Sequence, residues 1–178
     1  MTPQAIEAAF PVLSRHGYRI TSRPSGQYNC YAWAARDVLR WWEPHPAYFW
    51  PPGVPQTPTL AAFMQAYASV GFVPCLDGAL DAHCEKIAIY IDRFGRPKHA
   101  ARQLRFGKWT SKLGREDDIT HHLDGLTGRV YGQVAQFMKR PRTHPVDRLV
   151  ALLGTWWYRW TGALASLSQC SHAHAAVQ

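Results

Sequence analysis

Acidic residues are scarce in this chain of 178: Asp and Glu number 12 against 20 Lys and Arg, for a formal net charge of +8. The excess gathers along Arg93, Arg96, Lys98, Arg102, Arg105, Lys108, Lys112 and Arg115, a charge that would attract an acidic partner or substrate. No nucleic-acid-binding motif accompanies it, so it is read as the solvated basic face of alternating strands and nucleic acid is not an expected partner. Cysteine is sparse as well. Cys30, Cys75, Cys84 and Cys170 form no Cys-x-x-Cys pair, which excludes a dense disulfide framework and the common zinc modules. Also missing is any run of about 18 apolar residues, so no membrane span is expected; Trp156 to Leu167 comes nearest. The opening Met1-Thr2-Pro3-Gln4-Ala5-Ile6-Glu7 lacks the basic and apolar regions of a secretory signal, and a cytoplasmic location is expected.

What is present is apolar material enough for one sizeable core: 47% of residues are hydrophobic, which predicts one domain over 1–142 and a C-terminal helix and tail over 143–178. Ala5 to Leu13 predicts a short helix broken at Pro11, and Tyr18 to Ser22 an extended segment. A helix should start at Cys30 and run to about Leu39. Pro44, Pro46, Pro51, Pro52, Pro55 and Pro58 then forbid a regular element, and the aromatic residues among them must pack a long ordered loop or line a cleft. Thr57 and Pro58 open a helix striped by Leu60, Phe63, Met64, Tyr67 and Val70.

Beyond Lys86 the period changes. Ile87 to Ile91, His99 to Leu104 and Lys108 to Leu113 alternate and are separated by turns, which predicts an antiparallel meander, and Gly128 to Lys139 is assigned to the same sheet. A last helix, Val146 to Leu167, shows an apolar stripe from Leu149 to Leu167 and a Trp-rich face that fits the core or a protein partner.

The segment Tyr28-Asn29-Cys30-Tyr31-Ala32-Trp33-Ala34 follows a turn and puts a thiol on the first turn of a helix. Asn29 is a good N-cap, and the unpaired amides and positive dipole end favour thiolate over thiol, which would lower the pKa from about 8.5. A nucleophilic cysteine needs a base nearby in space. His99, opening a strand after a turn, is the histidine placed to serve.

In this order, Tyr28-Asn29-Cys30 at a helix start and His99-Ala100-Ala101 at a strand start, the chain resembles the papain-like cysteine hydrolases, most closely their NlpC-like branch. It also resembles an uncharacterised bacterial group sharing its YNCxAWA, WPPGVP and TSKLG segments. The first resemblance covers roughly Tyr18 to Arg140. It implies an α+β fold with N-terminal helices packed on an antiparallel β-sheet, followed here by the C-terminal amphipathic helix. It further implies a thiol-dependent hydrolase or acyl transferase with Cys30 as nucleophile and His99 as base. Ser111, or Asp118 beyond it, would orient the base, and Gln27, Tyr28 and Asn29 would lie at the oxyanion and substrate side. The expected partner is a peptide or protein substrate; no cofactor and no metal are called for. The alternative is a non-catalytic module of the same fold that binds an acidic protein or nucleic acid.

Overall fold

A computed structural model describes residues 1–142, and the predicted C-terminal helix lies outside the described residues. Seven strands form one antiparallel sheet: β1 (Arg19–Ile20), β2 (Val73–Cys75), β3 (Cys84–Ile91), β4 (Pro97–Gln103), β5 (Trp109–Lys112), β6 (Asp118–His121) and β7 (Gln133–Pro141). Their spatial order is β1-β6-β5-β4-β3-β7-β2. The expected meander is its centre, β3-β4-β5, and the segment from Gly128 joins the same sheet as β7 beside β3. Two strands escape periodicity altogether, because β2 contains Pro74 and β6 starts on the acidic Asp118.

The expected papain-like α+β arrangement is overturned. Four short helices accompany the sheet, α1 (Pro3–Ala9), α2 (Pro11–His16), α3 (Cys30–Ala34) and α4 (Leu60–Ala68), and only two reach seven residues or more. Local chemistry explains their brevity. Pro11 breaks the first segment in two by opening α2 at its first position, where its missing N–H costs nothing. The helix at Cys30 stops after five residues because Arg36 takes a left-handed φ of 66°. Such a residue ends a helix. Arg36 is held there by the buried carboxylate of Glu85, which Arg140 also meets at 2.8 Å. The N-cap of α4 is Thr59, whose hydroxyl accepts from Ala62 N–H, so Pro58 precedes the helix rather than opening it.

The long strand β3 is buried on both sides, and its alternation divides the interior. Ile87 and Ile89 join Cys30, Ala32, Trp42, Phe63, Tyr67 and Ala100 in one core, which α3, α4 and the proline-rich loop cover. Ala88 and Tyr90 join Ile6, Phe10, Leu13, Trp109 and Ile119 in a second, covered by α1, α2 and a 3₁₀ turn (Leu123–Leu126). One sheet therefore buries both faces, and its central strand β3 carries the apolar run Ile87 to Ile91 that such burial calls for. Among the described residues no helix is long and apolar enough to cross a membrane.

Candidate functional site

Asn29 builds the start of α3 as expected of a cap: its Oδ1 accepts from Ala32 N–H at 3.1 Å. The same oxygen also takes the N–H of Trp42, and its Nδ2 donates to the Trp42 carbonyl at 2.6 Å. Every polar atom of the amide is thereby spent on joining α3 to the proline-rich loop, and Asn29 is 4% exposed. These bonds make Asn29 the joint between the two segments, with one N–H of its Nδ2 not engaged by them.

Cys30, 7% exposed, follows it into the core. The backbone N–H groups of Ala100, Tyr31 and Cys30 itself point to its sulfur and favour a thiolate. Burial outweighs them and pushes the thiol up to about 12, so the expected depression is reversed. The physical reason is that an ion removed from water loses more hydration than three amide dipoles return.

The Ala100 amide reaches the sulfur where two strands part. Only Arg102 and Gln103 of β4 are laddered to β5, opposite Thr110 and Trp109. Upstream the pairing with β5 ends, leaving that edge of β4 to α3. Ala100 packs with Cys30 in the first core, whereas the cross-strand partner of His99 is Tyr90, which belongs to the second. His99 is fully buried, stacked on Tyr131 with ring centroids 4.0 Å apart and meeting the edge of Tyr90 at 5.4 Å. Neither of its ring nitrogens has a hydrogen-bond partner among the described residues. Burial holds it neutral, well below the usual histidine range, with the nearby His121 adding to the effect. Cys30 thus meets β4 at Ala100, whereas the His99 side chain leaves the strand on the other face, with Tyr90 and Tyr131, and no hydrogen bond joins the two side chains.

The expected orienting groups are engaged elsewhere. Ser111 Oγ is 2.8 Å from Nε2 of His121, not of His99. His121 Nδ1 lies 2.6 Å from the His122 carbonyl, which can only accept. Nδ1 therefore carries the proton, and Nε2 accepts from the Ser111 hydroxyl. Asp118 Oδ2 accepts from the Tyr28 hydroxyl at 2.8 Å, and its Oδ1 is buried without a partner. Tyr28 also stacks on Trp33 at 5.6 Å and receives Lys112 Nζ at 5.4 Å from its ring centre. Burial, first, and the Asp118 carboxylate, second, raise the Tyr28 phenol to about 12. Gln27 sits exposed in the turn, its N–H bonded to Ser25 Oγ at 3.2 Å, with no contact that fixes its side chain at the sulfur.

Three residues to which the sequence reading gave no part in the site shape this region: His121, Tyr131 and Lys112. His121 begins no strand and follows no turn, and nothing in the four residues of β6 marks it out. Lys112 was seen only as charge, yet it is fully buried and its ammonium donates to the Glu116 carbonyl. No curated protein and no solved structure matches this chain. Residues 19–139 match the family described as Domain of unknown function (DUF7689), and the chain belongs to that family.

Proposed function

We propose that the chain is a thiol-dependent hydrolase or acyl transferase acting at an amide, in a peptide, isopeptide or cell-wall stem peptide. Cys30 is the nucleophile and His99 receives its proton. One observation supports this above the others: the N–H that meets the Cys30 sulfur belongs to Ala100, the neighbour of a fully buried imidazole whose two nitrogens are unbonded. Adjacent Cα atoms are about 3.8 Å apart, so the backbone that carries the imidazole lies at the thiol, and the ring, which leaves the strand on the other face, has to swing round the unladdered edge of β4 to reach the sulfur. Leaving buried polar groups unsatisfied costs about 1–3 kcal/mol each. A chain that keeps such a histidine, where leucine would pack without that cost, has a use for its free nitrogen.

Both groups start in the neutral forms that such a transfer requires, while burial opposes the charged pair it creates. With its pKa pushed up to about 12, Cys30 is carried as S–H and needs a base at the moment of attack. His99, held neutral, is in the form that accepts a proton. As sulfur bonds to the carbonyl carbon, the thiol proton passes to a ring nitrogen of His99. The carbon–nitrogen bond then breaks, and the amine leaves with that proton. Water or a second amine cleaves the thioester and restores the thiol. The unladdered edge of β4 is where an imidazole on this strand and a sulfur on α3 would meet.

The test uses p-nitrophenyl acetate, an activated acyl donor small enough to enter without a designed fit. Intact-mass and peptide mapping should find acetyl on Cys30, with a burst of nitrophenolate that Cys30→Ala abolishes and His99→Ala slows by about 10²–10⁴-fold. Acetylation spread evenly over Cys75 and Cys84, or a rate indifferent to His99, would sink the reading.

A further inference from the structure

A cleft of about 690 Å³ lies away from the sulfur, between the turn joining β3 to β4 and the 128–132 loop. Its walls carry Arg93 and Phe94 from the turn, Lys98 from β4, and Arg129, Val130 and Gln133 from the loop and the start of β7. The loop wall is set by backbone. Gly128 and Gly132 exchange hydrogen bonds of 2.8 and 2.7 Å, closing the loop on itself. Gly132, at φ 77°, fits so closely against β3 that a Cβ there would stand 1.8 Å from the Ile91 carbonyl oxygen. Only glycine permits that approach.

The charges in this cleft do not balance. The lining includes one carboxylate, Asp92, and it is already used: Oδ1 accepts from the N–H groups of Phe94 and Arg96, and Oδ2 pairs with Arg96 Nε at 3.1 Å. Arg93, Lys98 and Arg129 are exposed, and none has an ion-pair partner among the described residues. Phe94 projects beside them, 65% exposed, a large apolar group in water. Three cations without ion-pair partners around an aromatic side chain, one of them on the closed 128–132 loop, make a receptor for an anion with some apolar character.

We propose that this cleft binds an acidic peptide segment. The Phe94 ring is already met by two guanidinium groups, Arg93 at 4.6 Å and Arg96 at 5.0 Å from its centre. A guanidinium stacked in this way keeps its N–H edge for a carboxylate, while the ring face it covers is no longer open to a nucleobase. Carboxylate side chains satisfy Arg93, Lys98 and Arg129, and an apolar neighbour in the same peptide packs on Val130 and the exposed edge of Phe94. This interaction does not depend on Cys30 chemistry.

The experiment measures fluorescence anisotropy of labelled octaglutamate titrated with the full chain, with labelled oligothymidylate of equal length as comparison. Octaglutamate binds and is released as salt rises. The triple variant Arg93→Ala, Lys98→Ala, Arg129→Ala weakens binding about tenfold, equivalent to about 1.4 kcal/mol. A control of equal charge loss on other exposed positions, Arg23→Ala, Arg105→Ala, Lys108→Ala, weakens it less than about threefold. Both sets lie on the surface, and the single variant Arg129→Glu reads the same site through one position. Absence of octaglutamate binding, equal losses in the two triple variants, or tighter oligothymidylate binding that depends on the same three residues would overturn the proposal.

Discussion

His121 and His99 are both fully buried imidazoles and both are held neutral, yet one has a partner on each nitrogen and the other has none. His121 is part of the architecture: it ties β6 to β5 through Ser111 and to the following residue through a carbonyl. His99 contributes ring area to Tyr131 and Tyr90 and leaves its polar atoms idle. Burial alone therefore does not tell a working histidine from a structural one. The difference lies in whether its hydrogen-bonding capacity has been spent.

The largest expected effect separates the two directly. His99→Leu should lower the rate of Cys30 acylation by about 10²–10⁴-fold, whereas His121→Leu, compared at equal folded fraction, should leave that rate within about threefold. Stopped-flow release of nitrophenolate measures both. If the two substitutions slow acylation alike, the distinction fails. The stability effects should run the other way. His121→Leu strands the Ser111 hydroxyl and takes one of two donors from the His122 carbonyl, which keeps the Gly125 N–H, costing about 1–3 kcal/mol in urea unfolding. His99→Leu strands nothing and should fall within about 1 kcal/mol of the parent, on either side.

Stability should also fall with acid. The folded-state pKa of His121 is lowered by burial to about 4, from about 6.5 in an unfolded chain. Its contribution is complete above pH 6.5, is lost as pH falls from there, and levels off near 4, amounting to about 3 kcal/mol. His99 shifts in the same direction and adds to the loss. Urea midpoints measured across this range should slope less in His121→Leu; an unchanged slope would remove His121 as the source.

The smallest effect sharpens the comparison. Ser111→Ala removes one hydrogen bond to His121 and should cost about 1–2 kcal/mol, with acylation unaltered. A large loss of acylation from Ser111→Ala would instead return Ser111 to the role of orienting His99.

Legibility in the sequence followed the range of each interaction. The cap at Asn29, the meander β3-β4-β5 and the membership of β7 rest on neighbours in the chain or on period-2 alternation, and all could be read. The length of α3 could not. It depends on Arg36 turning left-handed to meet Glu85, far away in the sequence. Strand β6 was hidden because Asp118 is a poor strand former, and the four-residue pairing with β5 outweighed that local preference. The partner of Ser111 differs from the expected one for a related reason: the family resemblance implied His99, while register on the sheet sets His121 opposite Trp109, diagonal to Ser111.

By itself the sequence determined that Cys30 would open a helix, that Asn29 would cap it and that a basic, apolar-cored β-sheet would follow, since capping and alternation are local properties. Tertiary structure alone decided how deeply the sulfur is buried, which imidazole Ser111 serves and which one keeps its nitrogens free. Those outcomes depend on desolvation and on cross-strand register, and both arise only when distant segments close over one another.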